Sequence, residues 1–336
     1  MLGKVPAEQL GVTLSHEHLL IDATCLYTES EDGAKRKLAE VPVSIENLGE
    51  LRRDPFLSRD NLRMQNLPVA IEEANYFKRA GGKTIVDCTT IGLSRDVRAL
   101  REISEATGLN IIAGAGFYID ASHPKYVNEK TDEELAQQIA SEITEGADGT
   151  DTKCGIIGEI GTGWPITKNE AKVLRAAVYA QQKTGAPLNI HPYASGKHCH
   201  ELLDILKDAS APLDKVVLSH IDEAGYDPEY TSSLAKRGCY VEFDTFGLEI
   251  YFDTWGVHDP SDYERVEGVC ELVKRGYASS VLLSQDVYLK ICLRKYGGYG
   301  FDHILTHIVP MFRRSGLKQE EIDTMLVGNP TRLLAF

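Results

Sequence analysis

Eight short apolar runs alternate with longer amphipathic segments along this chain, and that alternation restricts the fold more than any other feature. The runs cover 11–15, 84–88, 110–115, 155–160, 187–190, 216–219, 240–243 and 281–284. Several are almost continuous Val, Ile and Leu, the pattern of parallel strands buried on both faces. Helical periodicity fills the gaps at 69–80, 96–107, 132–145, 168–184, 200–209, 228–237 and 263–275. Glycines such as Gly108 and Gly185 stop these helices where a left-handed residue closes the last turn. Two more helices start near Lys318 and at the Asn329-Pro330 pair, a cap followed by a helix-starting proline.

A strand followed by a helix, repeated eight times in 336 residues, is the arithmetic of an α/β protein of the (β/α)8 TIM-barrel type. A doubly wound open sheet would place a glycine-rich phosphate loop after its first strand, and neither G-x-G-x-x-G nor G-x-x-x-x-G-K occurs. There is no internal repeat and no linker, so residues 1–336 read as a single domain. One spacing is irregular: about 65 residues separate the first two runs. The stretch 20–67 is an insertion after a barrel strand. It belongs at the C-terminal face, as a partial lid over the mouth or as packing between subunits.

Composition narrows the partners. Lys and Arg number 36 against 50 Asp and Glu, a formal net charge of −14. Nucleic acid and anionic membranes reward clustered cations, so neither is expected. No run approaches the roughly 18–20 apolar residues of a membrane span. The first ten residues lack the apolar core of a signal peptide. Seven cysteines, irregularly spaced and without C-x-x-C, suit buried thiols in a cytoplasmic chain. The expected partner is a small-molecule substrate, with a homo-oligomer as a further possibility.

In a barrel the reactive groups stand where strands end at the C-terminal face. Those positions hold His16 and His18 after the first strand, Glu159 in the fourth, His191 after the fifth, His220 after the sixth and Asp286 after the eighth. On an extended segment, residues two apart point to the same side, so both histidines of His16-Glu17-His18 enter the mouth. Four histidines and two carboxylates exceed the three protein ligands of a single catalytic zinc. They fit two divalent metals about 3.5–4 Å apart, with Glu159 as the anionic bridge that screens their repulsion. Asp286 is placed to serve as ligand and general base. The remaining histidines, including the second H-x-H at His198 and His200, fall in loops and helices and read as solvated or capping residues.

These residues resemble the phosphotriesterase-like branch of the amidohydrolase superfamily, and within it the phosphotriesterase-related group of animals. The resemblance is carried by Thr13-Leu-Ser-His-Glu-His18, Gly114-Ala-Gly-Phe-Tyr118, Cys154-Gly-Ile-Ile-Gly-Glu-Ile-Gly161 and Lys295-Tyr-Gly-Gly-Tyr-Gly300, and it extends over essentially the whole chain. It implies His16 and His18 on one metal, His191 and His220 on the other, Glu159 between them, Asp286 completing the first site, and zinc as the usual ion. The implied reaction is hydrolysis of N-acetyltaurine to acetate and taurine. The bacterial phosphotriesterases bridge their metals with a carboxylated lysine. Glu159 stands at that place here, and Lys153 lies before the strand, which points away from organophosphates. The usual histidine before the last aspartate is Gln285, whose side chain alternation sends away from Asp286. The sulfonate of such a substrate would need donors at the mouth, for which Lys290 and Arg294 are candidates, with Tyr118 and Tyr193 lining the pocket. Lactone or phosphoester hydrolysis on the same site is an alternative, as is a barrel that keeps its metals without catalysis.

Overall fold

A computed structural model describes residues 2–193, 196–222, 227–253 and 256–336. The eight apolar runs form eight parallel strands: β1 (Thr13–Glu17), β2 (Thr84–Asp87), β3 (Asn110–Ala115), β4 (Ile156–Gly161), β5 (Leu188–His191), β6 (Val216–Leu218), β7 (Tyr240–Phe243) and β8 (Val281–Leu283). They pair in chain order across one sheet. β8 returns to β1, where side chains complete the seam. Ser15 Oγ donates to the Leu283 carbonyl at 3.3 Å, and the His16 amide donates to Ser284 Oγ at 3.0 Å. The (β/α)8 architecture expected from the alternation is therefore present, with strand ends shifted by a residue or two.

Helices α1 (Leu67–Arg79), α2 (Val97–Thr107), α3 (Asp132–Thr144), α4 (Lys168–Thr184), α5 (Cys199–Asp208), α6 (Pro228–Ala235) and α7 (Asp262–Lys274) follow successive strands. Their starts are chemically marked. Thr131–Glu134, Thr167–Glu170 and Ser261–Glu264 make reciprocal capping boxes, and Asp96 accepts from the Arg98 and Ala99 amides. Their apolar faces, such as Val173, Leu174 and Ala177 of α4, pack on the strands. Among the described residues, no helix is long and apolar enough to cross a membrane.

After β8 the chain forms a wide π-helical turn, Ile304–Ile308, running into α8 (Val309–Arg314). Apolar periodicity does not announce this stretch because Pro310 interrupts it. Proline lacks the amide that the preceding turn would bond, and the wider turn accommodates it.

The insertion lies on the C-terminal face. Ile21–Asp22 pairs antiparallel with Arg63–Met64 at its base. Between them the chain docks on the segments that follow β7 and β8. Tyr251 and Asp253 amides donate to the carbonyls of Arg52 and Arg53, and the Lys290 amide donates to the Asn61 carbonyl at 2.9 Å. Phe56 packs its ring against Phe252 and Tyr288.

Candidate metal centre

The six residues singled out at the strand ends converge on one point. Glu159 lies at its centre. Its Oε1 is 3.3 Å from His18 Nε2, and its Oε2 is 3.6 Å from His16 Nε2, 3.0 Å from His191 Nδ1 and 3.6 Å from His220 Nε2. Asp286 Oδ1 lies 3.2 Å from His18 Nε2 and 3.8 Å from His16 Nε2. Two groups of metal-ligand spacing share Glu159: one with His16 and His18, the other with His191 and His220. A carboxylate shared by both groups is the arrangement that can serve two ions.

Local backbone irregularities aim these side chains. The β1–β2 register shifts between Leu14 and Glu17, and the β4–β5 register shifts between Ile157 and Ile160. Both shifts fall on strands that bear ligand-type residues, and such bulges turn side chains out of simple alternation. His220 and Asp286 adopt φ of 56° and 44°, the left-handed region that residues other than glycine enter rarely. Each is restrained there. The His220 amide donates to Asp244 Oδ1 at 2.9 Å, and the Asp286 amide donates to the His16 carbonyl at 3.3 Å.

The far ring nitrogens decide what the near ones present. His18 Nδ1 is 2.9 Å from Thr89 Oγ1, whose own hydrogen goes to the Leu20 carbonyl. The hydroxyl therefore accepts, and His18 carries its proton on Nδ1. His16 Nδ1 meets Ser219 Oγ at 3.1 Å, and that hydroxyl donates to Glu242 Oε2 or Asn189 Oδ1. His220 Nδ1 meets Asp244 Oδ1 at 3.0 Å. All three histidines thus turn Nε2 toward Glu159, and His16 and His18 turn it toward Asp286 as well. His191 is reversed: Nε2 meets the Tyr118 hydroxyl at 3.2 Å, and Nδ1 faces Glu159 and, at 2.8 Å, His220 Nε2.

Imidazole nitrogens and carboxylate oxygens packed together in a dry place favour positive charge among them, carried by ring protons or by a metal ion. His16 Nε2 and Asp286 Oδ1 are buried and without a hydrogen-bond partner. The electrostatics carry the same demand. Burial pushes His18 down, but Asp286 and Glu159 beside it outweigh burial and hold the ring at about 9. His16 and His220 are raised well above the ordinary imidazole value, against burial, by Asp244 first. Burial opposes the charge of Glu159, yet the bonds to His18, His191 and His220 hold it well below the usual carboxylate range. His191 is lowered, by burial most of all. The donor set, imidazole nitrogen and carboxylate oxygen, suits a borderline divalent ion such as zinc.

The other sequence candidates lie apart from this centre or touch it through one member. Tyr118 is buried, with its hydroxyl on His191. Tyr193 is exposed. The Lys290 ammonium is paired with Asp60 at 2.5 Å, and Arg294 makes a two-pronged pair with Asp302 at 2.6 and 2.8 Å. Gln285 turns away, as alternation required, and its amide group bridges the Gly300 carbonyl and the Ile304 amide. Sequence reasoning missed the layer behind the histidines: Thr89, Asn189, Ser219, Glu242 and Asp244, all fully buried. One signal was present. Tyr240-Val-Glu-Phe-Asp244 puts two carboxylates into a run destined for burial, and buried carboxylates need partners.

The phosphotriesterase family model matches residues 1–334. The N-acetyltaurine hydrolase of Xenopus tropicalis is 40% identical over 339 aligned positions, covering 100% of this chain and 97% of that protein. Among solved structures, a resiniferatoxin-binding protein from Rhodobacter sphaeroides superposes with a TM-score of 0.97 at 39% identity, over 99% of this chain and 93% of that one. A lactonase from Listeria monocytogenes superposes with a TM-score of 0.80 at 27% identity, over 99% and 97%. Sequence match and barrel geometry run together from one end to the other, and the chain belongs to the phosphotriesterase family.

Proposed function

We propose that this protein is a metal-dependent amidohydrolase that cleaves N-acetyltaurine to acetate and taurine. The observation that carries the reading is Glu159, shared by two histidine groups, with Asp286 beside the first. The substrate rests on the relative that matches the full chain. His16, His18, Glu159 and Asp286 would hold one ion, and Glu159, His191 and His220 the other, with zinc the ion that suits these donors. Two such ions polarise an amide carbonyl and acidify water near neutral pH.

The chain's own groups do the rest. His16, His18 and His220 turn Nδ1 to Ser219, Thr89 and Asp244, which leaves Nε2 as the nitrogen that would face an ion. Asp286 takes the proton of the attacking water on its carboxylate and returns it to the amide nitrogen as the C–N bond breaks. The new C–O bond leaves acetate, and the protonated nitrogen leaves with taurine. Tyr118 steadies His191 through its hydroxyl. Tyr193, Lys290 and Arg294 are the proposed contacts of the sulfonate end. At Lys290 and Arg294 a sulfonate competes with Asp60 and Asp302.

The test is zinc analysis of purified protein together with turnover of N-acetyltaurine, N-acetyl amino acids, a lactone and a phosphotriester. The reading expects about two zinc ions per chain and preferential acetate release from N-acetyltaurine, lost on chelation and restored by zinc. Preferential turnover of the lactone would move the substrate to that of the Listeria neighbour and keep the site.

A further inference from the structure

The His-Glu-His run has a middle residue that the reaction does not use. Glu17 is fully buried. An outward-facing strand residue of a barrel ordinarily packs apolar surface under the helices, and a carboxylate there is costly to bury. Instead of facing outward, this side chain turns into the seam between β1 and β8. Oε1 accepts from Ser284 Oγ at 2.7 Å and from the Gln285 amide at 2.9 Å, and Oε2 accepts from the Val287 amide at 3.0 Å. The β8 ladder has already ended at Leu283, so no strand neighbour serves these amides.

The three donors bracket Asp286. Its own amide reaches the His16 carbonyl, and Ser284 Oγ accepts from the His16 amide. Residues 284–287 are therefore fastened to His16 and Glu17 across this seam, while Asp286 sits in the left-handed region. We propose that Glu17 is a positioning residue, whose carboxylate clamps the chain on both sides of Asp286 and so delivers Asp286 Oδ1 to His18 and His16. This rests on the reading of those three residues as ligands of one ion.

Glu17→Gln tests the clamp with little change of shape. One amide oxygen can serve Ser284 and Gln285, but the NH2 group then meets the Val287 N–H, donor against donor. The experiment is a zinc titration of the full chain against a chromophoric chelator, with thermal unfolding alongside, on wild type, Glu17→Gln, Asp286→Asn and the double variant. The expected result is a loss of about tenfold or more in one of the two zinc affinities for Glu17→Gln, with the other within about twofold. The double variant should bind scarcely weaker than Asp286→Asn alone, because both act on one contact. A merely structural residue would lower both affinities along with the melting temperature, or add in full to Asp286→Asn. Either result, or no change, overturns the proposal. If Glu17→Gln does not fold, Ser284→Ala enters the same cycle with the same expectation. Since zinc is the readout, the outcome does not depend on which amide is cleaved. A wild type that binds two ions but leaves N-acetyltaurine intact refutes the substrate alone, and one that binds none refutes the ligand reading and the clamp together.

Discussion

Replacing Thr89 with valine should weaken metal binding more than replacing Ser219 with alanine, and the difference follows from what each histidine has left. Thr89 is fully buried, and its hydroxyl is the partner of His18 Nδ1 at 2.9 Å. Thr89→Val keeps the shape and removes the acceptor. An unpaired buried N–H costs about 1–3 kcal/mol. The ring can escape by moving its proton to Nε2, but that nitrogen then turns a hydrogen toward Glu159 and Asp286, where a metal needs a lone pair. Either way, at about 1.4 kcal/mol per tenfold, zinc affinity at the His16–His18 site should fall by about 10–100-fold. Ser219→Ala removes the partner of His16 Nδ1, but Asp244 Oδ2 at 3.1 Å and Glu242 Oε2 at 3.5 Å remain within reach. Its loss should stay below about fivefold. Competition titration with a chromophoric chelator measures both, and thermal unfolding shows that each variant is folded. Zinc affinity within twofold of wild type for Thr89→Val, or the reverse order of the two variants, would refute the tautomer argument.

Asp286→Asn should retain zinc at the His191–His220 site while turnover falls by about 10²–10⁴-fold, as expected for loss of a general base; retained turnover in steady-state kinetics would remove Asp286 from the proton path. Tyr118→Phe leaves His191 Nε2 without its hydroxyl partner and should weaken the His191–His220 site by about tenfold, read in the same titration. A pH prediction concerns Asp259, which burial first, then the nearby Asp222, raise to about 7. The native state therefore holds this proton more tightly than the unfolded chain, and stability falls as pH rises from about 4 through 7. Asp259→Asn should raise the melting temperature by about 1–3 °C at pH 8 and leave it unchanged at pH 4; an equal gain at both values would show that the charge is not the cause.

Much of this protein can be read along the chain because the relevant physics is local. Continuous Val and Leu runs such as 216–218 specify buried strands, capping boxes such as Thr131–Glu134 specify helix starts, and alternation carries His16 and His18 to one side. The six ligand-type residues were readable because chemistry in a barrel collects at strand ends. What the tertiary structure alone decided is which atom of each side chain does the work. His18 meets Thr89 across 71 positions of sequence, His16 meets Ser219 across 203, and Glu17 meets Ser284 across 267. Those pairings set the tautomers and the clamp, and no periodicity encodes them. The same holds for Lys290 and Arg294. Their charge was visible in sequence, but the carboxylates of Asp60 and Asp302 that already hold them became neighbours only when the insertion and the segment after β8 folded onto the barrel mouth. A residue type can be read from a string, whereas a hydrogen bond depends on distance and direction, which exist only after closure of the barrel.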